Sequence, residues 1–172
     1  MKPSNLSPTE FAPYFGTYIN QVSEEYTLLE ELEISVHRLI KFVQNIPMDK
    51  FDYRYAEGKW TIKDILQHII DTERIFSYRA LRIARNDRTE LPGFEENDYA
   101  NEANGSSRSI QSLLTELAVV RQSTLSLFKT LSSDELQRMG VASNNPVSVR
   151  ALGFMIIGHQ NHHQRIFEER YL

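Results

Sequence analysis

Apolar residues recur every three or four positions along most of the chain, and strict alternation of apolar and polar residues is rare. That period sets apolar side chains on one face of an α-helix. Four long segments carry it. In 18–45 the stripe is Val22, Tyr26, Leu29, Leu32, Val36, Leu39, Ile40 and Val43, and Pro47 then stops the helix. In 61–86 it is Ile62, Ile65, Ile69, Thr72, Phe76 and Ile83, opened by Thr61 as cap with Asp64 three residues on. In 108–131 it is Ile110, Leu113, Leu114, Leu117, Val120, Leu125 and Phe128. The last helix, 149–171, follows Ser148 as its cap. The run SSDELQRMG predicts one short helical turn and VASNNPVS a loop.

Four amphipathic helices predict an all-α protein, a single four-helix bundle spanning 1–172. The segment 46–60 is rich in aromatics and is expected to pack down on the bundle. The segment 87–107 holds Pro, Gly and three Asn and is long for a helix connection. Such connections are functional or mobile, and this one is long enough to cross over between two parallel helices, the second and third.

Composition narrows the function. At 172 residues the chain fits one domain of ordinary size. It is 41% apolar and 24% charged, which suits a globular fold and not a disordered one. No apolar run is long enough for a membrane span, and the first residues lack the apolar core of a signal peptide, so a cytoplasmic protein is expected. The net charge of −4 weighs against general nucleic-acid binding. The basic run RALRIARNDR is offset by EENDYANE and reads as a solvated helix face. Cysteine is absent, so any metal site must draw on His, Asp or Glu.

There are five histidines. His159 and His163 are four apart in a helical pattern, on a face shared with Leu152, Met155, Ile156, Ile166 and Phe167. Spacing of one turn suits two ligands of one ion. His68 also faces inward, between Ile65 and Ile69, whereas His162 points to the periphery. Three inward imidazoles from two helices can meet at one ion and leave coordination positions open, the pattern of a reactive site. The alternative is three hydrogen-bonded core histidines. Random placement of five histidines gives ~0.11 pairs at this spacing, so the pair alone is a weak signal.

Context strengthens it. Residues 53–79, YRYAEGKWTIKDILQHIIDTERIFSYR, resemble the first signature of the DinB-like superfamily, in which Trp and Ser or Thr open the second helix and a His follows. Residues 158–166, GHQNHHQRI, resemble its second signature, two His four residues apart near the C-terminus. The resemblance spans 20–172, and AEGKWTIKDILQHIIDTER with LPGFEENDYA is most similar to the YfiT-type branch. It implies a four-helix bundle with up-down-down-up connectivity. It also implies that His68, His159 and His163 are the metal ligands, holding nickel, zinc or iron with water. The family includes homodimers. The branch carries the label of metal-dependent hydrolase. It is linked to transfer of low-molecular-weight thiols such as bacillithiol onto electrophiles, and a relative uses mycothiol to isomerise maleylpyruvate.

The expected function is therefore a divalent-metal-dependent enzyme. It either transfers a thiol to an electrophilic small molecule or hydrolyses a small substrate. The competing expectation is a helical metal-binding or stress-response module without turnover. Asp71, one turn from His68, is a candidate acceptor to orient a ligand imidazole, or else an ordinary ion-pair residue. Arg79 is a candidate for an anionic substrate, or else a surface or interhelix ion-pair residue. Trp60 reads as a core anchor, and Phe94 and Tyr99 either rim a pocket over the metal or cover a bundle end.

Overall fold

The structure is a computed structural model that describes residues 1–172. In chain order the elements are α1 (Gly16–Ile19), α2 (Leu28–Gln44), α3 (Ile62–Ala84), α4 (Glu96–Ala103), α5 (Ile110–Lys129), α6 (Ser133–Leu136), β1 (Met139–Ala142), β2 (Asn145–Ser148) and α7 (Val149–Arg170). Helices α2, α3, α5 and α7 pack together as the bundle, and no helix is long and apolar enough to cross a membrane.

Local chemistry sets the helix starts. Thr61 Oγ1 accepts from the Asp64 backbone N–H at 3.1 Å, and Asp64 Oδ2 accepts from the Thr61 N–H at 3.0 Å. This reciprocal cap satisfies two of the donors that a helix start leaves unpaired, as the sequence predicts. Asp64 Oδ1 also accepts from the Ser106 N–H at 2.7 Å, which ties the end of the crossover to the start of α3. Ser148 Oγ caps α7 through the Ala151 N–H at 3.0 Å.

Two expectations need correction, and the long connection takes a definite form. The predicted helix 18–45 is two helices, because the chain breaks between Ile19 and Leu28. Thr27 and Glu30 form a capping box that restarts it, with the Thr27 N–H donating to Glu30 Oε2 at 2.8 Å. The apolar period runs through the break because α1 also packs inward, against α7. VASNNPVS is not a plain loop. It supplies the second half of β1, the two-residue turn and all of β2 in an antiparallel hairpin that pairs Met139 with Ser148 and Ala142 with Asn145. Ser143 and Asn144 both take positive φ, 52° and 61°, which a tight two-residue hairpin turn requires. Finally, 87–107 is ordered: Leu91 pairs with Ala142 beside the hairpin, and α4 and a short turn at Gly105–Ser107 follow.

Helix pairs run in recognisable directions. Along α3 and α5 the pairs Gln67–Arg108 and Arg74–Glu116 advance together. Along α3 and α7 the order is opposed, with Trp60 beside Tyr171 and His68 beside His159. Along α2 and α7, Ser35 meets Gln160 and Phe42 stacks on Phe167, again in step.

The core falls into two apolar clusters. One holds Leu28, Leu32, Phe76, Leu125, Phe128 and Leu152 with their neighbours. The other holds Val36, Leu39, Ile65, Ile69, Leu117 and Phe167 with theirs. Between them, every bundle helix contributes buried polar side chains: Ser35, His68 and Glu73, Arg121, and His159, Gln160 and His163.

Candidate metal centre

The periodicity of α3 and α7 turns His68, His159 and His163 into this polar layer. All three are buried, at 5%, 5% and 8% exposure. His68 Nε2 lies 2.9 Å from His159 Nε2, and His163 Nε2 lies 3.1 Å from the same atom. One potential ligand atom from each falls within 4.8 Å of the others. Burial pushes the His68 pKa down to about 4. Burial also holds His159 and His163 well below the ordinary 6.5, and their imidazole neighbours add to the effect. At neutral pH all three rings are therefore neutral.

Hydrogen bonding alone does not satisfy three neutral imidazoles so arranged. A neutral ring offers one N–H and one in-plane lone pair. The His159 Nε2 lone pair serves one of its two neighbours, which leaves the other contact without an acceptor. His163 Nδ1 is also buried and has no hydrogen-bond partner. A divalent ion accepts all three lone pairs. With Zn–N bonds of about 2.0–2.1 Å and tetrahedral angles, the nitrogens of such a site stand about 3.3 Å apart, close to the 2.9 and 3.1 Å that separate His159 Nε2 from its two neighbours. The residues fit a metal.

Two clefts reach the trio from different sides. One, of about 270 Å³, opens on His68 and His159 and is lined by Tyr18, Thr72, Phe76, Arg79, Phe94 and Glu96 among others. The other, of about 230 Å³, opens on His163 and is lined by Tyr55, Lys59, Trp60, Asn97 and Tyr171. Consecutive residues of α4, Glu96 and Asn97, face one cleft each, so the crossover helix lies between the two mouths.

The other candidates fall into place around it. His162 is half-buried and outside the trio, its ring 5.2 Å from that of Tyr18. Trp60 packs against the core and also stands 5.0 Å from the His68 ring, so it anchors and lines the site at once. Phe94 lines the His68 cleft, with Tyr99 against it at 5.1 Å. Asp71 accepts from Gln67 Nε2 at 3.0 Å and lies 3.6 Å from Arg74 Nη1; no imidazole is among its hydrogen-bond partners. Arg79 is not a surface residue: it is 5% exposed.

A second polar cluster escaped the sequence reading. Arg121 is 1% exposed and donates to both Glu73 carboxylate oxygens at 2.8 and 3.0 Å, to the Leu32 carbonyl, to Ser35 Oγ and to Gln160 Oε1. It binds all four bundle helices beside the histidines. Its signal was present but easily overlooked, since Glu73 and Arg121 stand where apolar stripe residues belong. Tyr18 was also missed as part of the site. Its ring meets His159 edge-on at 5.4 Å. Gly158 permits this approach, because a Cβ there would lie 2.2 Å from the Tyr18 carbonyl oxygen.

The family model of the DinB superfamily matches residues 31–167, most of the chain. The chain belongs to the DinB superfamily. This DinB-superfamily chain is similar to two curated proteins named "Putative metal-dependent hydrolase". One, from Oceanobacillus iheyensis, is 24% identical over 151 residues, 83% of this chain and 86% of that protein. The other, from Bacillus cereus strain G9842, is 23% identical over 125 residues, 71% of each. Among solved structures it is similar to YfiT from Bacillus subtilis, described as "a probable metal-dependent hydrolase with an unusual four-helix bundle topology". That match has a TM-score of 0.72 and 16% identity, covering 86% of this chain and 89% of YfiT. It establishes the bundle fold, and this chain also carries the β1–β2 hairpin.

Proposed function

We propose that this DinB-superfamily chain is a metal-dependent enzyme in which His68, His159 and His163 hold a divalent nickel, zinc or iron ion. The reaction best supported is transfer of a low-molecular-weight thiol, such as bacillithiol, to an electrophilic small molecule. The observation that carries it is the under-satisfied histidine trio set between two clefts. A transfer between two organic molecules needs room for both beside one centre, whereas hydrolysis needs room for one molecule and water. The chain has no cysteine, so a sulfur nucleophile arrives with a co-substrate. A bound divalent ion lowers the pKa of a coordinated thiol or water and so supplies a nucleophile near neutral pH.

The protein's own groups prepare that site. Burial keeps the three imidazoles neutral, with lone pairs to offer. Trp60 and Tyr18 pack on His68 and His159 and limit their ring rotation. Helix α4 walls one cleft from the other. The reading includes up-down-down-up connectivity, supported by the parallel order of contacts along α3 and α5 and along α2 and α7.

Turnover of an electrophile such as monochlorobimane by untagged, metal-loaded protein tests the proposal. Thiol transfer predicts a rate that needs both metal and thiol and is lost in His68→Ala. A rate on ester or amide substrates that needs metal and no thiol would assign hydrolysis instead. No metal-dependent turnover of either kind would leave a non-catalytic module.

A further inference from the structure

Arg79 is the one buried cation of the His68 cleft, and its charge has no carboxylate partner. It is 5% exposed and stands with its guanidinium carbon 6.0 Å from the ring centroids of both Phe76 and Phe94. Its only protein hydrogen bonds leave from Nη2, to the Pro92 carbonyl at 2.8 Å and Ser143 Oγ at 3.1 Å. A guanidinium has five N–H donors, so the Nε–H and both Nη1 hydrogens have no protein acceptor. Burial lowers its pKa with no carboxylate offsetting the effect. A desolvated cation of this kind is costly unless an anion completes it. Arg121, buried to a similar degree, has Glu73 for that purpose.

A second observation points the same way. Thr72 lines the same cleft, is 3% exposed, and its Oγ1 has no hydrogen-bond partner. A helical threonine ordinarily satisfies its hydroxyl on the carbonyl one turn back. This one does not, and it is free to meet a ligand. His68, Thr72, Phe76 and Arg79 follow each other at helical spacing, so one face of α3 presents a metal-ligand candidate, a hydroxyl, an aromatic ring and a cation in file.

We propose that this file is the substrate-recognition wall of the enzyme, and that it selects an elongated small molecule with an anionic end group (carboxylate, phosphate or sulfonate) seated on Arg79. The inference rests on the metal-site reading above for where the reacting end lies. Eleven residues of helix separate the Cα atoms of His68 and Arg79 by about 16 Å. Helical side chains lean toward the N-terminus, which returns the guanidinium toward His68 and sets the anion on the order of 10 Å from the imidazoles. The middle of the molecule lies against Phe76 and Phe94, with Thr72 Oγ1 placed for one polar atom. Glu95 and Glu96 also line the cleft and disfavour negative charge elsewhere along the ligand. The crossover and the hairpin turn have a role here, since Pro92 and Ser143 fix the arginine in place.

Octanoate and 1-octanol, matched in length and differing in charge, test this by calorimetric titration of metal-free protein, so the outcome does not depend on metal binding. The expected result is octanoate binding at least about tenfold tighter than octanol, the scale of a charge-assisted hydrogen bond. The preference should shrink to less than about twofold in Arg79→Met and recover in part in Arg79→Lys. Because Arg79→Met also removes the bonds to Pro92 and Ser143, the Nε–H resonance of Arg79 in the unaltered protein gives an independent readout. It should shift with octanoate and not with octanol. Equal affinity for both probes, an unmoved Arg79 resonance, or a preference that survives in folded Arg79→Met would overturn the proposal. With cobalt-loaded protein, 8-mercaptooctanoate should then perturb the cobalt spectrum at lower concentration than 8-mercaptooctanol. Failure of this arm alone would count against the metal reading and leave the anion site standing.

Discussion

Two buried polar clusters share one layer of the bundle, and they differ in how completely they are satisfied. Around Arg121 every strong donor finds an acceptor: a two-point bond to Glu73, a carbonyl, a hydroxyl and an amide. Around His159 three neutral imidazoles face one another with one Nε2 position to serve two contacts, and His163 Nδ1 has no partner. Both clusters interrupt the apolar core, at a cost in hydrophobic burial. The first returns register and connectivity among four helices. The second returns nothing until something binds. Completeness of hydrogen bonding thus separates a structural polar cluster from one built for a ligand, even where burial is equal.

The sharpest way to break this contrast is to damage each cluster in metal-free protein. Arg121→Met leaves the Glu73 carboxylate buried without its cation and should cost about 3–5 kcal/mol in denaturant unfolding. His163→Leu, a swap of similar volume in an unsatisfied cluster, should change stability by less than about 1.5 kcal/mol. Equal losses would erase the distinction.

Adding metal should reverse the ranking of what the clusters contribute. Zinc at a free concentration of a hundred times its Kd should stabilise the wild-type chain by about 2.7 kcal/mol, seen as a rise in Tm. His68→Ala, His159→Ala and His163→Ala should each lose that gain.

Gly158 tests how the first cluster member beyond the bundle, Tyr18, is held on the second. Gly158→Ala forces the Tyr18 backbone away and should cost about 1–3 kcal/mol. The His159 ring resonances should shift as the edge-on Tyr18 ring withdraws. An unshifted His159 spectrum would mean that α1 yields without moving the ring.

The smallest effect lies outside the layer and serves as a control for ordinary ion pairing. Burial raises the Glu10 pKa, but hydrogen bonds from Arg150, the Ser7 N–H and Ser148 outweigh it, so the net position is below 4.5. A depressed carboxylate contributes stability that is present above its unfolded pKa and lost as pH falls through its folded value. Arg150→Met should therefore be less stable by up to about 1 kcal/mol at neutral pH. The difference from wild type should vanish in acid. A gap that persists at low pH would assign the loss to packing.

Much of this was legible in the sequence. The helical period set His159 and His163 on one inward face and His68 on another, and the caps at Thr61 and Ser148 were readable from single residues. The break before α2 was also written, as Thr27 and Glu30, but an unbroken apolar period masked it because α1 is buried too. The hairpin was hidden by its length, since four-residue strands give no alternation to read, and by a turn of Ser and Asn without the usual glycine. The partners of Arg121 and of Arg79, rather than their places on the inward faces, are tertiary facts. A charged residue in an amphipathic helix reads as solvated until its partners, 48 residues away in the first case and on two loops in the second, are in place.

The central claim is that the histidine trio is built for a divalent ion. Its most direct test is elemental analysis of untagged protein, as purified and after reconstitution, for wild type, His68→Ala and His163→Ala. The account predicts about one tightly held divalent ion per wild-type chain, in keeping with three converging imidazoles, and none retained by folded variants. A wild-type chain that stays metal-free after reconstitution, or variants that retain the ion as well as wild type does, would contradict it.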